Sequence, residues 1–226
     1  MNEMQAMLDY LRALEQNNDR EWFHAHHDQY KQAAAAFEQL VDALSAELAA
    51  HDPAILPRPA KELTFKLNRD TRFSRDKSPY NPAFRAHIGP KGKLPVPVGY
   101  YLMIRPGGSF LGGGLFADMF KDATEMVRRA ITEDGQGFEK VLADPAFAQN
   151  FTLGGSSLKK VPAGYDAAHP QAAYLKQKSW YVEYPLTDQE VADKDFLARA
   201  ADLFLKMRPF NDFLNHALTD FQMPAR

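Results

Sequence analysis

Cysteine is absent from the 226 residues of the sequence. Disulfide bonds, thiol catalysis and thiolate metal sites are therefore excluded. No apolar run approaches the roughly 18 residues that indicate a membrane-spanning helix. The beginning of the chain also lacks the basic segment and apolar run of a secretory signal peptide. From these absences we expect a cytoplasmic protein with no membrane partner.

An excess of charge of one sign is also missing. The chain has 27 Lys and Arg against 29 Asp and Glu, a formal net charge of −2. We therefore do not expect nucleic acid as a partner, because non-specific binding to it depends on neutralising phosphates. Hydrophobic residues are 45% and charged residues 25% of the chain, as in soluble globular proteins. This length suffices for a buried core, and we predict a single domain covering residues 1–226.

Positive charge is nevertheless concentrated in one stretch. Between residues 61 and 93 there are nine Lys and Arg against three Asp and Glu, a local charge of +6. Within it, Arg69, Arg72 and Arg75 recur at every third position among turn-forming residues, which favours a loop. A guanidinium group presents a planar fork of donors that matches a carboxylate or phosphate. The stretch therefore predicts a loop that binds a small anionic ligand.

The same loop carries its own acids, and three interpretations stay open. The arginines bind a ligand, or they pair with Asp70 and Asp76 and pin the loop to the body of the protein, or they form a nucleic-acid face. If a ligand binds, the further candidate residues for it in this loop are Lys77, Ser78 and Tyr80.

Helices are predicted at both ends of the chain. Apolar residues recur at helical spacing over 3–15 and about 20–50, and again in the C-terminal part. Two more helices are expected from Asp118 to Ala130 and after Gly137. In the C-terminal helical part, 191–221, we expect Pro209 to break the helix.

The middle of the chain changes to a period of two. Alternating apolar residues predict strands over 63–68, 84–88, 98–105, 109–116 and 180–185. Short links between consecutive strands favour antiparallel pairing. We therefore predict an α+β fold in which an antiparallel sheet of about five strands is flanked by the N-terminal and C-terminal helices. The arginine loop would follow the first strand.

A glycine run, Gly112-Gly113-Gly114, stands in the fourth predicted strand. It lacks the Gly-Lys-Ser/Thr of a P-loop and the spacing of a dinucleotide-binding fingerprint. Glycines in a strand mark a bulge, tight packing or the close approach of a ligand, and these alternatives stay open. Because Arg105 and Ser109 flank the turn before this strand, both join the candidate ligand-binding residues.

A second basic segment, interrupted by Pro and Gly, runs from Leu158 past His169 to Trp180 and contains Lys159, Lys160, Lys176 and Lys178. It is either a solvated surface connection or a segment that closes over the arginine loop. No metal is predicted, because His24, His26 and His27 do not have the i, i+4 spacing of a helical zinc pair. We also expect no cofactor.

Several short motifs together resemble a bacterial family catalogued as domain of unknown function 2461. The resemblance covers nearly the whole chain and implies one domain, but it implies no particular activity, cofactor or catalytic residue. The motifs are Asn17-Asn18 to Trp22-Phe23, Arg69-Asp70-Thr71-Arg72-Phe73, Lys77-Ser78-Pro79-Tyr80, Gly99-Tyr100-Tyr101, Pro106-Gly107-Gly108-Ser109-Phe110, Gly112-Gly113-Gly114, Leu158-Lys159, Pro162, Gly164-Tyr165 and His169-Pro170.

Two hypotheses of function follow from these residues. In the first, the protein is an enzyme that acts on a small phosphorylated or carboxylated metabolite held by the arginines. Its candidate acid or base is Asp70, Asp76 or His169, and Tyr80 and Tyr101 supply a hydroxyl group or a stacking face. In the second, the same residues form a non-catalytic binding or regulatory module for an acidic or nucleotide-like ligand.

Overall fold

The structure is a computed structural model that describes residues 3–116 and 120–224. The strands in this part are β1 (Phe84–Ile88), β2 (Tyr100–Ile104), β3 (Ser109–Leu115), β4 (Leu153–Gly154) and β5 (Trp180–Leu186). The helices are α1 (Glu3–Gln16), α2 (Arg20–Ala25), α3 (His27–His51), α4 (Ala60–Leu63), α5 (Lys121–Glu133), α6 (Gly135–Ala143), α7 (Pro145–Ala148), α8 (Ala172–Leu175), α9 (Asp188–Val191) and α10 (Phe196–Ala217).

The five strands form one antiparallel sheet in the order β1-β2-β3-β5-β4. With helices at both ends of the chain, this confirms the predicted α+β class. No helix in the described parts of the chain is both long and apolar enough to cross a membrane.

The sheet has two faces of different character, because successive side chains in a strand point to opposite sides. The core face is almost entirely buried against helices. Its residues include Phe84, Ala86, Ile88, Tyr100, Leu102, Ile104, Leu111, Leu115, Trp180, Val182 and Leu186. The residues between them form what we call the second face: Arg85, His87, Tyr101, Met103, Phe110, Gly112, Tyr181, Glu183 and Pro185.

The helices α1, α3 and α10 supply the other half of the core. Each presents one apolar stripe, as its sequence periodicity predicts. On α10, Phe204 lies with its ring centre 5.3 Å from that of Tyr100, and the Tyr100 hydroxyl donates to Asp52 at 2.6 Å. These three helices therefore cover the core face, and the second face lies on the side of the sheet away from them.

The first predicted strand, over 63–68, is wrong. Leu63 ends α4, and the residues after it form only isolated bridges, Thr64 with Ala86 and Asn68 with Tyr80. The segment thus pairs first with β1 and then with the far end of its own loop, so no continuous ladder forms. Leu63 and Leu67 are buried as the alternation indicates, but burial without a constant partner does not make a strand. The fifth strand of the sheet is instead β4.

Two helix predictions also need correction. The helix predicted over about 20–50 is divided at His26, whose Nδ1 lies 2.8 Å from the Trp22 carbonyl oxygen and whose ring stacks on Trp22. Pro209 does not break the C-terminal helix, which continues from Phe196 to Ala217. Buried residues on both sides of the proline hold the two halves in line against the core: Phe204, Met207, Phe210 and Leu214. The predicted helix start at Asp118 lies outside the described residues.

Candidate functional site

The arginine loop, defined here as residues 69–79, is closed at its base. The Arg69 amide donates to the Pro79 carbonyl at 2.9 Å. Beside it, the Asn18 side chain donates to the Tyr80 carbonyl at 2.9 Å and accepts from the Tyr80 amide at 3.1 Å. The Tyr80 ring stacks on Phe23 with ring centres 4.1 Å apart. The residues before α2 and the residues after the loop therefore hold each other in place.

Two arginines of the loop are paired with acids of the same loop. Arg69 pairs with Asp76, and Arg72 donates to both carboxylate oxygens of Asp70, the shortest bond being 2.6 Å. These contacts match the structural interpretation for two of the three arginines. Arg75, which is exposed, forms no ion pair or side-chain hydrogen bond with any residue in the described ranges.

The two acids of the loop are held in their ionised form. Hydrogen bonds from Arg72 lower the pKa of Asp70. The hydroxyl and amide of Ser78 donate to Asp76 at 2.6 and 2.9 Å, and together with Arg69 they hold the pKa of Asp76 well below its usual range. A carboxylate of this kind is a poor proton donor or acceptor near neutral pH.

A cleft of about 610 Å³ separates the loop from the start of α2, and we call it the polar cleft. Three cations line it, Arg20, Arg69 and Lys77, against one acid, Asp19. The Asp19 carboxylate already accepts the Trp22 amide at 2.8 Å as the cap of α2. The polar cleft therefore has an excess of positive charge. The rest of its lining is Asn18, Asn68, Thr71, Ser78, Pro79 and Tyr80.

A second cleft, of about 410 Å³, lies on the other side of Arg69. It brings Arg105 close to the loop, but its charges are balanced. Arg69 pairs with Asp76, and Arg105 donates to Glu15 at 2.7 Å. Ser109 is buried, and its hydroxyl accepts from the amide and donates to the carbonyl of Arg105, so it closes the turn before β3.

The other predicted site residues lie apart from the polar cleft. Arg72 and Arg75 are exposed in the outer part of the loop and are not among the cleft residues. Lys159 is exposed, and His169 accepts the Gln171 amide at 3.2 Å. Within residues 3–116 and 120–224, neither contacts the loop. Tyr101 lies on the second face of the sheet.

Tyr101 belongs to another cavity, of about 350 Å³, which we call the sheet-face cavity. Its polar members are His87, Tyr101 and Lys93. The sequence analysis did not select His87 or Lys93, although the alternation in β1 puts His87 opposite the core face. The remaining lining residues are Phe65, Pro95, Gly99, Phe110, Gly114 and Phe116.

The glycine run is explained in large part by close packing. A Cβ on Gly113 would lie 3.1 Å from the Met207 sulfur of α10, and one on Gly114 would lie 2.4 Å from the Trp180 carbonyl oxygen. Gly114 also has a φ of +94°, which favours glycine. Because Gly114 also lines the sheet-face cavity, the run serves tight packing and brings backbone to a cavity wall.

A metal centre has no support in the described parts of the chain, where no group of three His, Asp or Glu side chains is placed to hold an ion. Of the three neighbouring histidines, His26 stacks on Trp22 with ring centres 4.0 Å apart, and His27 lies beside Phe23 and Tyr30. These side chains pack with Trp22, Phe23 and Tyr30 in an aromatic cluster at the start of α3.

Comparison with known proteins gives one match. No curated protein and no solved structure matches the chain significantly. The model of a family described as conserved hypothetical protein (DUF2461) matches residues 6–213. This match includes the arginine loop, all five strands and most of α10. Because it spans most of the chain, the protein belongs to the DUF2461 family.

Proposed function

We propose that the protein binds a small phosphorylated or carboxylated metabolite in the polar cleft. The observation that carries this proposal is the convergence of Arg20, Arg69 and Lys77 from two separate segments on one cleft whose single acid is engaged as a helix cap. Charge-assisted hydrogen bonds from guanidinium and ammonium groups to such anions are about twice as strong as neutral ones. The neighbouring amide and hydroxyl groups supply further donors.

The position of Arg69 supports this role despite its acid partner. Asp76 is not among the residues that line the polar cleft, so it holds Arg69 from the other side. The Arg69 side chain is only 27% exposed, and it also donates to the Ser78 carbonyl at 3.3 Å. A side chain fixed in this way loses little conformational entropy when an anion binds.

Binding without turnover fits these residues better than catalysis. Asp70 and Asp76 are the acids of the arginine loop, and their lowered pKa values make them weak bases and poor acids at neutral pH. His169, the third candidate, does not line the cleft. We therefore favour a binding or regulatory module over an enzyme.

The experiment is a thermal-shift and calorimetric screen with inorganic phosphate, a sugar phosphate, a nucleoside monophosphate and a tricarboxylate. A ligand at about a hundred times its dissociation constant adds about 2.7 kcal/mol of stability. For a chain of this size, that corresponds to a rise in melting temperature of about 5–10 °C. Arg20→Glu and Lys77→Glu should each weaken binding at least about tenfold.

The matched control is Arg75→Glu, which reverses a charge in the same loop outside the polar cleft. We expect it to change the dissociation constant less than about threefold, because Arg75 is exposed, does not line the cleft, and exposed charges are screened by physiological salt. The proposal is wrong if none of these anions shifts the melting temperature. It is also wrong if Arg75→Glu weakens binding as much as Arg20→Glu does.

A further inference from the structure

We propose that the sheet-face cavity is a second ligand site, and that it takes a planar aromatic compound carrying a carboxylate. This site is distinct from the polar cleft, because the two share no lining residue. Its volume of about 350 Å³ is within the range of small-molecule sites, about 300–1,000 Å³. Three features, namely its walls, its cations and its histidine, determine the class of ligand.

The walls are mainly aromatic. The Tyr101 ring stacks beside Phe110 with centres 5.7 Å apart, and Phe65 and Phe116 lie 6.4 and 6.2 Å from it. Phe116 in turn stacks on Tyr181 with centres 4.1 Å apart. Phe116 is a large apolar side chain that remains substantially exposed. Aromatic side chains arranged in this way favour a flat ring by stacking and edge-to-face contact.

The cations near the cavity lack acid partners. Lys93 lines the cavity and donates to the Thr64 carbonyl at 3.2 Å. Arg85 stands next to Tyr101 on the second face, lies over the Phe65 ring and donates to the Lys66 carbonyl at 3.2 Å. Neither forms an ion pair with a carboxylate in the described ranges. Two uncompensated cations beside aromatic walls call for an aromatic ligand with negative charge.

Glu183 is an acid on the second face, and its position indicates how the ligand lies. Across the sheet, His87 is paired with Tyr101, Tyr101 with Gly112, and Gly112 with Glu183. Since neighbouring strands are about 4.8 Å apart, Glu183 is roughly 10 Å from Tyr101 along the sheet. The carboxylate of the ligand therefore lies toward β1 and Lys93, and the ring extends over Tyr101 toward Phe116.

His87 supplies a polar contact inside the cavity wall. It is only 7% exposed, and its ring lies against the backbone of Gly89 and Gly92. Its Nδ1 is fully buried, so only the rest of the ring, which lines the cavity, is available to a ligand. Burial also keeps the ring neutral by lowering its pKa to about 4. A neutral imidazole can donate to, or accept from, a ligand.

The experiment is isothermal calorimetry with 2-naphthoate as the probe and its neutral isostere 2-naphthamide as the comparison. We expect 2-naphthoate to bind, and Lys93→Met to weaken it about tenfold, which corresponds to the loss of one charge-assisted contact. 2-Naphthamide should bind more weakly and should not distinguish Lys93→Met from the wild type. Phe110→Trp, which fills the cavity, should weaken both compounds.

Lys91→Met is the matched control, because Lys91 is an exposed lysine two residues away that does not line the cavity. It should leave the dissociation constant unchanged within about twofold. Arg20→Glu should also have no effect, which separates this site from the polar cleft. As a direct readout, 2-naphthoate should shift the imidazole ¹⁵N resonances of His87 in the wild type.

Two results would overturn the proposal. One is the absence of 2-naphthoate binding to the wild type at concentrations up to about 5 mM. The other is binding that Lys93→Met and Lys91→Met weaken equally, since the contact would then not be at the cavity. Lys93 and Lys91 are both exposed, so neither variant is expected to disturb folding.

Discussion

Acidification should destabilise the protein through His87. This side chain is 7% exposed, and burial lowers its pKa from the ordinary value of 6.5 to about 4, while the carbonyl of Gly92 partly opposes the shift. The unfolded chain therefore binds a proton at a higher pH than the folded chain does. The stability contributed by neutral His87 is fully present above the unfolded pKa of 6.5 and is lost as the pH falls through about 4.

The magnitude follows from the two pKa values. Between about pH 7.5 and about pH 5, the preference of the unfolded state for the proton lowers the free energy of unfolding by about 2 kcal/mol. With a urea m-value of about 2 kcal/mol per molar, the unfolding midpoint should fall by about 1 M. Other groups also titrate in this range. The quantity to compare is therefore the decrease in the free energy of unfolding between the two pH values, in the wild type minus that in His87→Phe.

The assay is equilibrium urea unfolding of both proteins at the two pH values. His87→Phe removes the titrating group and keeps a flat ring in place, and any pH-independent cost of the substitution cancels in the difference. We expect the wild type to lose about 2 kcal/mol more than the variant between the two pH values. Equal losses in the two proteins would show that His87 titrates normally in the folded state, and the reasoning from its burial would be refuted.

Two further predictions concern the backbone. Gly114→Ala should lower the free energy of unfolding by more than about 3 kcal/mol, because its Cβ would lie 2.4 Å from the Trp180 carbonyl oxygen at a φ of +94°. Gly107→Ala, with a φ of +67° and nothing within 4 Å, should cost only about 1 kcal/mol in urea unfolding, and similar losses at both sites would contradict the packing argument. Asn18→Ala should cost about 1–3 kcal/mol and speed proteolysis of the arginine loop, because two hydrogen bonds to the Tyr80 backbone are lost; unchanged stability and cleavage would contradict that role.

The fold class could be predicted because it depends on local periodicity. The helix predicted over 3–15 is found at Glu3–Gln16, and the strand predicted over 84–88 is found at Phe84–Ile88. In both segments the spacing of apolar residues has one period throughout, and the packed neighbours are those that this spacing implies. Such segments need no information from distant residues.

The errors arise where distant contacts override the local pattern. Residues 63–68 alternate like a strand, yet their partner changes from β1 to the end of the arginine loop. Pro209 is a helix breaker by its chemistry, yet the core holds α10 continuous around it. In each case the energy that decides the conformation comes from residues far away in the chain.

The candidate sites, too, could be predicted from the sequence only in part. Charge density alone identified the arginine loop, because nine Lys and Arg within 61–93 are visible without any structure. It could not show that Asp70 holds Arg72, nor that Arg20 lies across the cleft from Lys77. Ion pairs and clefts depend on distances of a few ångströms, and these are set only when segments from different parts of the chain pack together.

The sequence by itself therefore determined the absence of thiol chemistry, the α+β class, and the region where positive charge gathers. Only the tertiary structure decided that His87 is buried beside a cavity, and that Phe65, Lys93 and Phe116 meet Tyr101 there. The physical reason is that composition and periodicity are local properties, whereas burial, pKa and the shape of a cavity depend on what each side chain meets from elsewhere in the chain.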